Sequence, residues 1–289
     1  MVVSVIGLGG MGRAMAERLA ARGFTLRVWN RSREKAAGLR ATICDNPSEA
    51  ARGAEVVLTS LSNDEVVREV VLGNQGVLAG LGAEAVHAGA STISHALARE
   101  LVAEFGRRDR THVSSPVIGR PEAAVEGKLF VLAGGAPAAL ERCRPLFAAV
   151  AQRTFDFAEP AQANLVKILV NLQLAGTIEL LGEVFAASEK AGLPPDRLLE
   201  VLTSTLFGCP AVNGYGPRIV SGSFEPAGFR MPLGLKDVQL ALALGDELRA
   251  PLPAASVVRD HLLAALAAGL DKLDWSGFTR VVRGQAGLR

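Results

Sequence analysis

At 289 residues the chain has room for about two domains of ordinary size, and 49% hydrophobic against 21% charged residues is the balance of a globular protein with a large core. A net charge of +2, with one tyrosine and two tryptophans, gives no basic tract interleaved with aromatics, so neither nucleic acid nor a membrane surface is expected as partner. Cys44, Cys143 and Cys209, and His87, His95, His112 and His261, are scattered without any metal or redox spacing, so no metal is expected.

The N-terminus enters a strand at once, without a basic region, apolar signal core and cleavage site. Short β-branched runs then alternate with helical patterns up to about residue 158. Strands are expected at 2–6, 25–29, 55–60, 84–88, 111–115, 128–133 and 153–158, with helices at 11–22, 64–72, 94–106 and 137–150. This alternation predicts an α/β fold, a doubly wound and mostly parallel Rossmann-type sheet covered on both faces. After Pro160 the strands stop. Helices are expected at 161–191, 195–206, 211–220, 232–249 and 253–269, several opened by proline. The division is a dinucleotide-binding domain over 1–159 and an all-helical substrate and dimerisation domain over 160–289. The apolar stretches from 161 to 187 are broken by Asn, Lys, Gln and Glu, so no membrane span is expected. A cytoplasmic protein with reduced thiols follows. A helix of roughly 46 Å, at 1.5 Å per residue, is too long for one small domain to cover; it spans between domains or packs against a second subunit, and a homodimer is the expectation.

"SVIGLGGMGRAMAERL" places Gly7, Gly9 and Gly12 in the spacing G-x-G-x-x-G, after a strand and opening a helix. Gly7 permits the tight turn, Gly9 lets the backbone approach a pyrophosphate, and Gly12 allows close helix–sheet packing. The helix N-terminus adds N–H donors and partial positive charge. The turn from Gly7 through Leu8, Gly9, Gly10 and Met11 to Gly12 is therefore the expected cofactor cradle. The second strand ends in "VWNRSREK", with Asn30, Arg31 and Ser32 where an NAD site usually carries an acid for the ribose hydroxyls. A guanidinium and a hydroxyl suit a 2′-phosphate, so NADP(H) is the expected cofactor. The competing reading of Ser32, a helix cap, lacks the acid at position 35 that a capping box wants.

"NLVKILVN" puts a lysine into an apolar helical run of a chain holding 25 arginines and six lysines. Arginine stays charged near neutral pH, whereas a desolvated lysine can release its proton. Asn164, Lys167 and Asn171 fall on one helical stripe, continued by the small residues Ala175 and Gly182. Spacing leaves two readings open: a proton donor to a substrate oxygen, or a stem that snorkels. Tyr215, in "VNGYGPR", and Asp237, beside Lys236, are read as packing and as facing water.

Together these segments resemble the β-hydroxyacid dehydrogenase family, which includes 3-hydroxyisobutyrate dehydrogenases and glyoxylate/succinic semialdehyde reductases. The likeness runs through "IGLGGMGRAMAERL", "VWNRS", "LSNDEVVREVVLGNQGVL", "GASTIS", "SSPVIGRPEAAVEGKL", "ANLVKILVN" and "LGLKDVQLAL", in that order. It implies that Lys167 is the general acid/base and Asn171 its partner, that Thr92 lines substrate and nicotinamide, that Leu61 and Ser62 belong to the cofactor loop, and that Lys236 closes over cofactor or substrate. It also implies a substrate loop at Ile118, Gly119 and Arg120.

That loop departs from the family's P-V-S-G-G, since Ile118 replaces serine and Arg120 replaces glycine. Ser114-Ser115 stand where an acid and an alanine are usual, and Ala161-Gln162-Ala163 replaces G-x-G. The substrate carboxylate site is the part these changes touch. The expected activity is hydride transfer between NADPH and a small aldehyde or 2-/3-oxo acid, in the reducing or oxidising direction. An imine acceptor on the same fold, and an NADPH-binding protein without turnover, are the alternatives.

Overall fold

Valine-rich runs set the architecture of the first half. β1 (Val2–Ile6) lies parallel to β2 (Thr25–Trp29) on one side and to β4 (Val56–Thr59) on the other. β1 and β4 are buried almost throughout, as expected of strands with little polar alternation. β3 (Thr42–Ile43) pairs outside β2, while β5 (Val86–Gly89) and β6 (Thr111–Ser114) extend the sheet beyond β4, all parallel. β8 (Leu129–Gly134) runs antiparallel to β6 and to the short β7 (Val117–Ile118), and β9 (Ala151–Phe157) runs parallel to β8. The order is β3-β2-β1-β4-β5-β6-β8-β7, with β9 attached to β8. The structure, a computed structural model, describes residues 1–288; residue 289 lies outside them.

Helices follow most strands: α1 (Gly10–Ala21), α2 (Pro47–Ala51), α3 (Asp64–Val67), α4 (Val77–Gly80), α5 (His95–Arg107), α6 (Pro121–Glu126) and α7 (Pro137–Val150). The helix expected at 64–72 is α3 running on into a π turn over Arg68–Leu72. Two apolar layers result. Met15 and Leu19 of α1 and Leu146 and Phe147 of α7 pack on Val3, Val5, Leu26 and Val28. Leu97, Leu101 and Phe105 of α5 pack on Ile6 and Val57 from the other side. Val5 and Ile6 thus face opposite layers, the strand's period of two at work. The chain leaves β1 in both lateral directions, so the crevice at the C-terminal ends of β1 and β4 is the switch point where such sheets bind ligands.

The first compact unit ends at Lys167 and the second starts at Ile168, both inside α8 (Pro160–Lys190). The second unit is helical: α9 (Pro195–Ser204), α10 (Pro210–Ser221), α11 (Met231–Leu248), α12 (Pro253–Ala267) and, after a 3-10 turn at Trp275–Phe278, α13 (Thr279–Gln285). Proline in the first turn starts α9 to α12, where its missing N–H costs nothing. Ile178, Phe185, Met231, Val258 and Leu262 form the core around Trp275 and Phe278. The lone tyrosine belongs to it: Trp275 Nε1 donates to Tyr215 Oη at 2.9 Å. Asp274 is fully buried and accepts from the amides of Gly228, Phe229 and Ser276 and from Ser276 Oγ, tying the approach to α11 to the final helices. Gly182, on the small-residue stripe of α8, is small for packing: a Cβ there would stand 2.8 Å from Thr279 Cγ2.

Two of the four histidines, read as separate in sequence, meet inside the first unit. Adjacent parallel strands place His87 opposite His112, with Nδ1 atoms 2.9 Å apart. Thr59 Oγ1 lies 3.0 Å from His87 Nε2 and Ser114 Oγ lies 3.3 Å from His112 Nε2, and Phe105 stacks on His87. One proton between the two Nδ1 atoms satisfies a neutral pair. Burial pushes His112 down to about 4; burial and then the neighbouring imidazole push His87 well below its ordinary value. The unfolded chain therefore binds protons that the folded chain refuses, and stability rises with pH through that interval. Unfolding free energy should hold steady above pH 6.5 and fall as pH drops toward about 4. Denaturant titrations of wild type and of a His87→Leu/His112→Leu variant should show the acid limb flattened in the variant; an unchanged limb would assign it elsewhere.

Candidate active site

The glycine turn is held by contacts that admit no side chain. Gly7 has φ +92°, and a Cβ there would stand 2.3 Å from Ser60 O; a Cβ on Gly12 would stand 1.9 Å from Gly7 O. Gly9, by contrast, has open space around its would-be Cβ. Gly9 caps α1 without a side-chain bond, and no acid occupies the helix's first turn. Backbone donors thus stand open at the switch point without a competing carboxylate, and the residues present fit a dinucleotide pyrophosphate. Leu8 and Met11, also counted toward the cradle, send their side chains elsewhere: Leu8 lies in the first apolar layer and Met11 packs against it. Only their backbone remains for a ligand.

Asn30 braces the turn. Its Oδ1 accepts from Leu8 N at 2.8 Å and its Nδ2 donates to Ser32 O at 2.9 Å, so both ends of the amide are engaged. Ser32 begins the 3-10 turn Arg33–Ala36 without capping it through its hydroxyl. Arg33 is spent on Asp45 at 2.6 Å. Arg31 is exposed, and no hydrogen bond or ion pair to the described residues engages it.

The loops after β4 and β5 are stitched together beside this turn. Leu61 N donates to Ser91 Oγ at 2.7 Å, Asp64 accepts from the amide and hydroxyl of Ser94, and Asn63 caps α3. Ser62 is exposed and Thr92 half-buried in this region. The loop after β6 abuts it as well, since a Cβ on Gly10 would lie 3.6 Å from Pro121 Cγ. Ile118 is committed to the ladder opposite Phe130, Gly119 has φ +136° with Leu129 Cδ2 2.6 Å from its would-be Cβ, and Arg120 is the half-buried residue that opens α6.

On α8, Lys167 is half-buried and closes the first unit. One turn on, Asn171 Nδ2 donates to Asp237 Oδ2 at 2.5 Å, and Lys236 Nζ lies 2.8 Å from Asp237 Oδ1. The Asp237 side chain is only 3% exposed, so it does not face water. Its partnership with Asn171 was not visible in sequence, where 65 residues intervene; the one available signal was its place beside Lys236. Among the described residues no group of three His, Cys, Asp or Glu side chains is placed to hold a metal.

A mostly parallel sheet in this strand order, with a glycine turn at its switch point, defines a Rossmann-type dinucleotide-binding fold, here followed by a helical unit. Residues 2–158 match the model for the NAD binding domain of 6-phosphogluconate dehydrogenase. Residues 161–282 match that for the NAD-binding region of NADP-dependent 3-hydroxyisobutyrate dehydrogenase. The chain is 36% identical to the oxidoreductase YfjR of Bacillus subtilis, over 98% of this chain and all of that one. It is 33% identical to the 3-sulfolactaldehyde reductase of Escherichia coli, over 99% of this chain and 97% of that one. A solved structure of Mycobacterium tuberculosis 3-hydroxyisobutyrate dehydrogenase with L-serine superposes with a TM-score of 0.87 at 28% identity, covering 98% of this chain and 99% of that one. The chain belongs to the 3-hydroxyisobutyrate dehydrogenase-like β-hydroxyacid dehydrogenase family, whose members are NAD(P)-dependent oxidoreductases acting on CH–OH groups.

Removing the buried Asp237 carboxylate leaves the Asn171 amide without its acceptor and the partly exposed Lys236 ammonium without its counter-ion. Asp237→Ala should lower unfolding free energy by about 2 kcal/mol, from hydrogen bonds to a charged group worth about 1.5–3 kcal/mol each. A urea titration checks this; no change in midpoint would show that both donors find other partners.

Proposed function

We propose that the protein is an NADPH-dependent reductase of small aldehydes or 2-/3-oxo acids, with Lys167 as its general acid/base. The observation that supports this most is the pairing on α8: a half-buried lysine one turn before an asparagine whose amide is fixed by a buried carboxylate. The bound nicotinamide supplies the hydride. Lys167 donates a proton to the carbonyl oxygen as that carbon is reduced, leaving a neutral amine that solvent reprotonates. In the oxidising direction the neutral amine takes the hydroxyl proton. Asn171 orients the lysine or the substrate oxygen, and Lys236, ion-paired with Asp237, is assigned to cofactor or substrate. Gly7, Gly9, Gly10 and Gly12 would hold the pyrophosphate, with Leu61, Ser62 and Thr92 beside it. Arg120 is assigned to the carboxylate of acidic substrates, in the role that the family gives to its serine and paired glycines.

The choice of NADPH rests on Arg31, an exposed cation that no hydrogen bond or ion pair to the described residues engages. We also assign the apolar surface of the second unit to a second copy of the chain: Leu169 and Leu180 of α8 are exposed, and α9 buries no residue. Three free cysteines suit a reducing, cytoplasmic setting.

Arg31→Ala should weaken NADPH about tenfold to a hundredfold, the value of one charge-assisted hydrogen bond, and leave NADH nearly unchanged. Equal losses for both cofactors would remove the 2′-phosphate role. Lys167→Ala should lower kcat about 10²- to 10⁴-fold, the usual contribution of a positioned acid/base, with cofactor affinity retained. Turnover of small oxo acids, semialdehydes and matched non-acidic aldehydes is followed by NADPH absorbance; undiminished turnover in the variant would return Lys167 to a packing role.

A further inference from the structure

Among the buried polar atoms of the first unit that have no hydrogen-bond partner in the described residues, two lie at one corner of the sheet. Ser115 is 1% exposed and its Oγ is unpartnered; Asn164 is 2% exposed and its Oδ1 is unpartnered. Ser115 follows β6 directly and is pinned to the end of β5 by a bond from its amide to Gly89 O at 2.7 Å. Ser114, the residue before it, pairs with Gly134. Gly134 in turn carries the first turn of α8: a Cβ there would stand 2.9 Å from Pro160 Cα and 3.1 Å from Ala163 Cβ. Asn164 is the next residue along that helix. The two orphans therefore share the C-terminal edge where the cofactor loops also end.

Each buried group left without a partner costs about 1–3 kcal/mol, so a pair at one edge of the sheet calls for an explanation. The pair's chemistry is selective. Asn164 Oδ1 accepts only, so its occupant must bring an N–H or O–H. Ser115 can donate to an adjacent oxygen. A carboxylate has no proton to give and would leave Asn164 Oδ1 without a donor. A primary carboxamide carries an N–H donor and a carbonyl acceptor on one carbon and answers both.

We infer that Ser115 and Asn164 form a subsite for the carboxamide of the nicotinamide ring, with Asn164 accepting from its nitrogen and Ser115 donating to its oxygen. The inference rests on the proposed hydride transfer. Asn164 and Lys167 are three residues apart on one helix face, so their Cβ atoms are about 5–6 Å apart. Reacting atoms must approach to about 3–3.5 Å, and the carboxamide is borne on the ring carbon next to the one that carries the hydride. A residue that reads the carboxamide therefore belongs about one helical turn from the group that protonates the substrate oxygen, which is where Asn164 stands.

The test measures equilibrium binding, by fluorescence titration of the protein, of NADPH and of its 3-acetylpyridine analogue, which keeps the carbonyl but has methyl in place of the amine. Wild type should prefer NADPH by roughly tenfold, one hydrogen bond's worth. Asn164→Leu should bind both at the analogue's affinity, and Ser115→Ala should weaken both by a similar factor. Without cofactor, Asn164→Leu should melt no lower than wild type, because it removes an orphan rather than a bond; Asn164→Ala repeats the comparison should leucine not fit. A tenfold preference that survives in the Asn164 variant overturns the subsite. So does an effect confined to the KM of the carbonyl substrate, which would make the substrate the occupant, and so does equal binding of the two dinucleotides by wild type, as a trapped water would give. Wild type that binds neither dinucleotide overturns the proposed function itself.

Discussion

The contact between Gly12 and the carbonyl of Gly7 is the constraint on which the rest of the first unit depends. With room for no Cβ, it seats the start of α1 on the end of β1 and aims the helix's open N–H groups into the switch-point crevice. The same seating sets the depth at which Met15 and Leu19 enter the first apolar layer. Anion binding and core packing are thus one geometric condition. The neighbouring loops are keyed to it through single side-chain bonds, Asn30 to Leu8 N and Ser91 to Leu61 N. Each satisfies a backbone donor that the turn would otherwise leave open.

Buried carboxylates do the corresponding work in the second unit. Asp274 gathers three amides and a hydroxyl, and Asp237 gathers an amide and an ammonium. A buried charge is costly to desolvate, and it is tolerated where donors surround it. For Asp237 the return is orientation. With Nδ2 of Asn171 committed to the carboxylate, the amide cannot flip without losing that bond, so its orientation is fixed.

Much of the fold was legible because it rests on local pattern. The seven longer strands and the long helices have β-branched runs, prolines at helix starts and the glycine turn to mark them. β3, β7, α2, α4 and α6, of two to six residues, are too short to repeat a period and went unseen. In the site, the residues that sequence brought forward, Gly7, Gly12, Lys167 and Asn171, sit in motifs or on one helix face. Those it misjudged, Asp237 and the His87–His112 pair, depend on partners 66 and 25 residues away. Register between strands and the rotation of α11 are set by packing, and neither leaves a trace in spacing. Leu8 and Met11 show the opposite error: a motif places the backbone correctly and says nothing of where the side chains go.

The departures from the family pattern fall where the fold can absorb them. Ile118 gives its backbone to the ladder with Phe130, a bond any side chain allows, and Gly119 keeps the one position whose φ and neighbours demand glycine. Arg120 opens α6 at its N-cap, where no side-chain bond is needed to hold the helix. The loop's conformation is therefore fixed by Gly119 and the β7–β8 pairing, and the residues to either side are left to chemistry. By contrast, Gly7, Gly12 and Asp237 are bound into contacts that any substitution breaks. Selection on substrate can act on the first set without disturbing the second, which is how a family keeps hydride transfer while its members change what they reduce.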